Sequence, residues 1–155
     1  MRLSADSHRR VERFLREHLG EPGLVLPPIE IYAGRFARWV TKALKVGAVT
    51  FGRHILFSPH KLVRDEAGRL VAPGWLVAHE ALHVVQFERE GHARFLWGYV
   101  SEFWRLLRAG GAWGAEARNA AYLAISKELE AVEAQRAYRM WSEQSGKAVE
   151  ADRNG

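Results

Sequence analysis

The stretch Leu76-Val77-Ala78-His79-Glu80-Ala81-Leu82-His83-Val84-Val85-Gln86 decides the fold of this chain. It lies in the run 74–89, whose apolar residues predict a helix that is buried on nearly every side. Residues four apart lie one above the other on a helix, so His79 and His83 can direct ring nitrogens at one metal ion. Glu80 projects beside that face, where it can reach a metal-bound water and act as a general base.

The surroundings of this HExxH motif favour a metal site over a coincidence. Burying two imidazoles and a carboxylate without partners costs about 2–7 kcal/mol for each unsatisfied group. A bound metal removes that cost, whereas a purely structural helix does not. Zinc in a catalytic site takes three protein ligands and leaves one position for water. A third ligand must therefore come from elsewhere in the chain.

The absence of cysteine restricts the third ligand to a histidine or a carboxylate. The extended HExxHxxGxxH pattern fails, because Gln86 and Arg89 stand where its glycine and third histidine belong. His92 is a weak substitute. The C-terminal helix is the better source, and it carries three glutamates: Glu128, Glu130 and Glu133.

Length and composition indicate one domain over residues 1–155. The chain has 48% hydrophobic residues, a net charge of +5 and no cysteine, which excludes disulfide scaffolds, Cys-ligated zinc fingers and thiol nucleophiles. Residues 1–20 are charged and lack the apolar centre of a signal peptide, and no run approaches the ~20 apolar residues of a membrane span. We therefore expect a cytoplasmic protein with no membrane partner.

Hydrophobic periodicity predicts an α+β order of elements. Helices are predicted over 5–19 (the N-terminal helix within 1–20), 35–45, 74–89, 93–108 and 115–142, and strands over 29–32, 48–51 and 54–57. Asp65, Glu66 and Gly68 predict a turn, and residues 143–155 are expected to form a flexible tail.

Three segments between Ile29 and Ala134 resemble a gluzincin-type zinc metallopeptidase domain, in particular the minimal gluzincins and small bacterial HExxH domains. The segments are 29–32 with 48–57, the HExxHxxQ helix, and Ala121-Tyr122 followed by Glu128-Leu129-Glu130-Ala131. The resemblance implies a zincin-like fold, in which a small, mostly antiparallel sheet packs on the HExxH helix and further helices follow. It leaves out the leading helix and the C-terminal tail.

The same resemblance implies a ligand set. In gluzincins the third ligand is a glutamate with a small residue three positions later, which lets two helices pack closely. Glu128, followed by Ala131, fits this pattern better than Glu130 or Glu133. The implied site is one Zn²⁺ per chain, held by His79, His83 and Glu128.

The implied activity is hydrolysis of a peptide or protein substrate by a zinc-bound water that Glu80 activates. A further donor would stabilise the oxyanion, and Tyr122 is the first candidate, with Tyr99 and His92 as alternatives. In zincin folds an edge strand beside the metal lies antiparallel to the substrate. The segment that resembles this strand, and is therefore expected to bind substrate, is His54-Ile55-Leu56-Phe57.

Two other functions stay open. A catalytically silent zinc-binding interaction module would also need both histidines, although it would not need Glu80. The positive charge is compatible with nucleic-acid binding, but Glu12 and Glu17 interrupt the basic patch of the first helix, and the tryptophans lie on apolar faces. The pattern defines no oligomeric state.

Overall fold

The computed structural model describes residues 3–44, 46–64 and 70–153, and within them it contains six α-helices and five short strands. The helices are α1 (Ala5–Leu19), α2 (Arg35–Leu44), α3 (Gly74–Glu90), α4 (His92–Ala109), α5 (Ala115–Leu123) and α6 (Ser126–Arg153). The strands are β1 (Glu30–Tyr32), β2 (Ala48–Phe51), β3 (His54–Phe57), β4 (Val63–Arg64) and β5 (Leu70–Val71), with a 3₁₀ turn at Pro59–Lys61. The predicted α+β class is confirmed.

The main sheet has the strand order β1-β3-β2. β2 and β3 form an antiparallel hairpin, whereas β1 runs parallel to β3, with Ile31 opposite Ile55. The three-stranded sheet is therefore mixed, and the prediction of a mostly antiparallel sheet is wrong here. The reason is that α2 connects β1 to the hairpin as a crossover, so that β1 and β3 run in the same direction.

The hairpin turns at Gly52 and Arg53, which lie between the two predicted strands. Gly52 has φ +58°, and a Cβ at this position would lie 2.6 Å from Nε2 of His92, so the turn requires glycine. Arg53 then pairs with Glu88 of α3 at 2.9 Å. This pair holds the tip of the hairpin beside α3.

The central helix α3 is buried continuously from Leu76 to Phe87. It packs against α1, the sheet, α4 and, most extensively, α6. Four alanines in this core are completely buried: Ala78 and Ala81 of α3, and Ala131 and Ala134 of α6. Such small side chains let two helix backbones approach closely, which brings the start of α6 towards the histidines of α3.

The long helix predicted over 115–142 is interrupted. α5 ends at Leu123 and α6 begins at Ser126, with Ile125 fully buried between them. Glu102 of α4 accepts hydrogen bonds from the backbone N (3.2 Å) and Oγ (2.6 Å) of Ser126. These contacts give the backbone N–H of Ser126, at the start of α6, a hydrogen-bond acceptor on α4. A new helix can therefore begin there although the break contains neither glycine nor proline.

The sequence also predicts a C-terminal tail, a turn near residue 66 and a helix end at Lys45. α6 continues to Arg153, so the segment expected to be a tail is helical over most of its length, and its flexibility stays a prediction. The predicted turn at Asp65, Glu66 and Gly68 and the predicted helix end at Lys45 lie outside the described residues, as do residues 154–155. No helix in the described ranges combines the length and apolarity that a membrane span requires.

Candidate metal centre

Two helices bring three potential metal ligands together. His79 and His83 lie one turn apart on α3, and Glu128 lies in the first turn of α6. One ligand atom from each residue lies within 4.8 Å of the other two. Nε2 of His83 is 3.3 Å from Oε1 of Glu128, and Nε2 of His79 is 3.6 Å from Oε2. This group could hold a metal ion, and it is the set that the gluzincin resemblance implies.

The spacing of these atoms fits a small divalent cation. Ligand atoms bound 2.0–2.1 Å from zinc at tetrahedral angles lie about 3.3 Å apart, close to both His–Glu distances. Two imidazoles and one carboxylate are ligands that first-row transition metals accept. The three residues are only 4–9% exposed, so a cation between them would offset the cost of burying the carboxylate.

The electrostatics of the cluster also favour a positive partner for Glu128. Burial raises the pKa of the Glu128 carboxyl, but hydrogen bonds from His79, His83 and Tyr99 outweigh burial and hold that pKa well below its usual range. Burial lowers the pKa of His83, yet the hydrogen bond to Glu128 and the charge of Glu80 raise it overall. Glu128 is therefore a carboxylate that requires a proton-bearing imidazole or a cation beside it.

A hydrogen-bonded relay orients His83. Its Nδ1 lies 2.9 Å from Oε1 of Gln86, and Nε2 of Gln86 donates to Oε2 of Glu130 at 2.8 Å. Since an amide oxygen only accepts, Nδ1 of His83 carries a proton and donates to Gln86. Nε2 donates to Glu128 while the ring is protonated, and it can offer a lone pair to a metal ion once that proton has left. Glu130, an alternative third ligand in the sequence, therefore supports a histidine instead.

His79 lacks such support. Its Nδ1 is buried and has no hydrogen-bond partner among the described residues. Of the other predicted alternatives, His92 packs its ring against Phe51 and Phe87, with centroids 5.6 and 5.4 Å away, and lies outside the cluster. Glu133 is exposed on α6.

The cluster opens onto a cavity of about 580 Å³. Its apolar walls come from the end of α2, from β2 and from α4, and include Leu44, Val46, Val49, Leu96, Val100 and Phe103. At its polar end Glu80, Tyr99 and Tyr122 accompany the three potential ligands. Ligands of a metal that face an open, partly apolar cavity are accessible to a small molecule or a peptide.

Glu80 meets this cavity with one carboxylate oxygen held by the sheet. Oγ1 of Thr50 donates to Oε2 of Glu80 at 2.7 Å, and Glu80 is only 3% exposed. Thr50 is not among the residues that the sequence motif predicts for the site. Its place in a predicted strand was the one available signal, and that signal does not tell which neighbour the hydroxyl meets.

Two tyrosines lie next to the third ligand. The Tyr99 hydroxyl donates to Oε1 of Glu128 at 2.7 Å, and its ring centroid is 6.4 Å from that of Tyr122. Burial and the charge of Glu128 raise the pKa of both phenols. Both tyrosines are therefore protonated donors at neutral pH. The predicted donor Tyr122 lines the cavity, and Tyr99 supports Glu128.

β3 does not occupy the predicted edge position. It lies between β1 and β2 and pairs with both, so the expectation that His54–Phe57 forms an edge strand beside the metal is wrong. Ile55 and Phe57 are completely buried, and the residues that line the cavity include neither of them, nor His54 or Leu56. The sheet edge at the cavity is β2, through Ala48, Val49 and Thr50.

The fold and cluster define an α+β protein with a His–His–Glu group at the floor of an open cavity. Residues 5–91, more than half of the chain, match the family model of the eCIS core domain, and the chain belongs to this family. The match spans α1 to α3, including His79, Glu80 and His83, and ends before the helix that supplies Glu128. No curated protein and no solved structure matches the chain. The gluzincin resemblance therefore stays an interpretation of the motif.

Proposed function

We propose that this protein is a zinc-dependent metallopeptidase of the gluzincin type. The observation that carries the proposal is the convergence of His79, His83 and Glu128 at ligand spacing, with the carboxylate of Glu80 on the same cavity. A structural zinc site is closed by four protein ligands, whereas a catalytic site has three and stays accessible. The described cluster has three and faces the cavity.

Each residue at the polar end has a task in such a reaction. Zinc held by the cluster would polarise a peptide carbonyl and lower the pKa of a water molecule. Glu80 would take a proton from that water as the water oxygen bonds to the carbonyl carbon, and it would pass the proton to the amine nitrogen as the C–N bond breaks. Thr50 occupies Oε2 of Glu80 and so leaves Oε1 for the proton. Tyr122 donates to the oxygen on which negative charge develops.

The edge of β2 supports an extended peptide as the substrate. Ser58 N donates to Gly47 O at 2.9 Å, and the register pairs Val49 with Leu56. Hydrogen-bonded and free positions alternate in an antiparallel pair, so Ala48 and Thr50 direct their backbone N–H and C=O groups away from β3. An extended peptide can add to this edge by pairing with those groups, beside the cluster.

Glu80→Gln tests the proposed activity. The substitution keeps the shape and the hydrogen bond from Thr50 but removes the proton acceptor. We expect about one zinc per chain to remain, by the His2Glu stoichiometry, and hydrolysis of an unfolded protein substrate to be lost. Glu133→Gln, at an exposed glutamate, is the matched control and should keep both properties. Equal inertness of zinc-loaded wild type and Glu80→Gln across a broad peptide library would contradict the proposal.

A metal-binding interaction module is the second candidate. Several large apolar side chains are exposed, including Trp39 (67%), Trp97 (75%) and Trp113 (59%). Exposed apolar side chains of this size favour contact with another macromolecule when they form a patch. Stoichiometric zinc without hydrolysis in the experiment above would favour this function.

A further inference from the structure

The short helix α5 turns polar side chains towards the cavity. Four of its residues, at the spacing of one helical face, line the cavity: Ala115, Arg118, Asn119 and Tyr122. Tyr122 belongs to the polar end described above, but Arg118 and Asn119 have no task in the proposed reaction. A few polar groups placed on the wall of a mainly apolar cavity are typical of a ligand site.

Arg118 is free to bind an anion. Among the described residues that line the cavity it is the one with a lysine or arginine side chain. Its side chain is exposed, and within the described ranges its guanidinium makes no ion pair. The two cavity carboxylates are engaged elsewhere. Thr50 holds Glu80, and Tyr99 with both histidines surrounds Glu128.

The position of Arg118 relates it to the reacting bond. It precedes Tyr122 by four residues, which is about 6 Å along the helix axis. An extended peptide advances about 3.4 Å per residue, so a chain that is bound at the metal centre and runs along the axis of α5 would come level with Arg118 about two residues from the cleaved bond. Asn119 lies between Arg118 and Tyr122 in the sequence. Its side-chain amide can both donate a hydrogen bond to a peptide group and accept one from it.

We propose that Arg118 and Asn119 form a subsite for a substrate carboxylate. The substrate is then a peptide that packs apolar side chains against the cavity walls and carries a carboxylate about two residues from the cleaved bond. A guanidinium binds a carboxylate through two parallel hydrogen bonds, and either an acidic side chain or a chain terminus supplies that group. The inference rests on the proposed peptidase function.

Binding to a catalytically silent variant separates this subsite from the reaction. Zinc-loaded Glu80→Gln protein is titrated calorimetrically with four matched leucine-containing hexapeptides, which carry Glu or Gln as the penultimate residue and a free or an amidated C-terminus. We expect the peptides with a carboxylate to bind about tenfold more tightly than the neutral peptide. The Glu/amide and Gln/free-acid peptides distinguish a side-chain carboxylate from a terminal one.

Two further substitutions in the Glu80→Gln protein assign the preference to a residue. Arg118→Gln should abolish the preference for a carboxylate. Arg118→Lys keeps the positive charge but loses the planar guanidinium that can form two parallel hydrogen bonds, so it should retain part of the preference. Arg94→Gln changes an exposed arginine of α4 outside the cavity and should leave the preference unchanged. Zinc content and circular dichroism show that each variant is folded.

The outcomes distinguish the two proposals. Equal affinity for charged and neutral peptides, no binding of any of the four, or a preference that survives Arg118→Gln would overturn the subsite. In one outcome, the wild type cleaves neither the four peptides nor an unfolded protein while the Glu80→Gln protein still shows a carboxylate preference that depends on Arg118. That result would support the subsite and contradict the peptidase function. Cleavage by the wild type without a carboxylate preference would support the peptidase function and contradict the subsite.

Discussion

The Thr50 hydroxyl donates a 2.7 Å hydrogen bond to Oε2 of Glu80, which joins the edge strand β2 to the helix that carries both histidines. The same hydroxyl oxygen lies 3.4 Å from the backbone oxygen of Glu80. The strand that offers its edge to a peptide is thus also the strand that orients the proposed general base. In the proposed reaction, one side chain would therefore couple substrate position to proton transfer.

Thr50→Val should reduce hydrolysis with little effect on zinc binding. Valine has the same shape but no hydroxyl, so the Glu80 carboxylate loses its fixed orientation. We expect kcat/KM to fall about tenfold or more, because misplacement of a catalytic group is costly. Thr50→Ser keeps the hydroxyl and should keep most of the activity. A Thr50→Val enzyme as active as the wild type would show that this hydrogen bond does not position Glu80.

Gln86→Leu should weaken zinc binding by about 10–100-fold, the usual effect of removing the partner that orients a metal-bound histidine. The substitution leaves Nδ1 of His83 without its acceptor in a buried position. Glu130→Ala, which removes the second member of the relay, should act in the same direction. The measurement is competition with a zinc chelator. Glu133→Ala is the matched control on α6, and equal affinities of all four proteins would refute the relay.

Ala131→Leu should destabilise the fold and the metal centre together. Ala131 is completely buried three residues after Glu128, in the core that α3 and α6 share. A larger side chain forces the two helices apart, at a cost of about 1–3 kcal/mol in the free energy of unfolding, and moves Glu128 away from the histidines. Urea denaturation and zinc titration measure the two effects. Ala120→Leu, at an exposed alanine, should change neither.

Glu102→Gln should lower stability in a pH-dependent manner. Hydrogen bonds from the Ser126 side chain and backbone lower the pKa of Glu102 below its ordinary value of 4.5. Because the folded-state pKa is depressed, the carboxylate stabilises the fold fully above pH 4.5 and loses this effect as the pH falls through the folded-state pKa. The free energies of unfolding of wild type and variant should differ by about 1 kcal/mol at pH 7.

That difference should shrink as the pH falls below 4.5, which urea denaturation at a series of pH values can follow. Glu116→Gln, at an exposed glutamate of α5, is the control and should show no such trend. A gap between wild type and Glu102→Gln that is constant with pH would show that the charge of Glu102 does not stabilise the start of α6.

Removal of bound metal should lower the melting temperature. In the folded chain the buried carboxylate of Glu128 faces two imidazoles, and a cation that binds the folded state alone stabilises it in proportion to the logarithm of its concentration. We expect zinc to raise the melting temperature of chelator-treated protein by several degrees, as measured by calorimetry. His79→Ala should abolish this response, and an equal response in that variant would place the bound zinc elsewhere.

Much of the local structure could be predicted because it depends on residues within a few positions of one another. Apolar periodicity places α1, α3 and α4 within one residue of their observed ends. The two strands on either side of Gly52 were predicted in the same way, whereas the choice of Glu128, followed by Ala131, as the glutamate nearest the histidines came from the gluzincin resemblance. The break between α5 and α6 escaped prediction because its cause is Glu102, more than twenty residues away in the chain.

By itself, then, the sequence determined that His79 and His83 share one helix face with Glu80 beside it, because a helix turn is a local repeat. Strand order, the exposed edge at β2 and the partners of the polar side chains were decided by the tertiary structure. Thr50 meets Glu80 across 30 residues and Gln86 meets Glu130 across 44, and each contact forms because packing brings together two elements that are distant in the sequence. No local pattern encodes that choice, since it depends on which elements the core brings together.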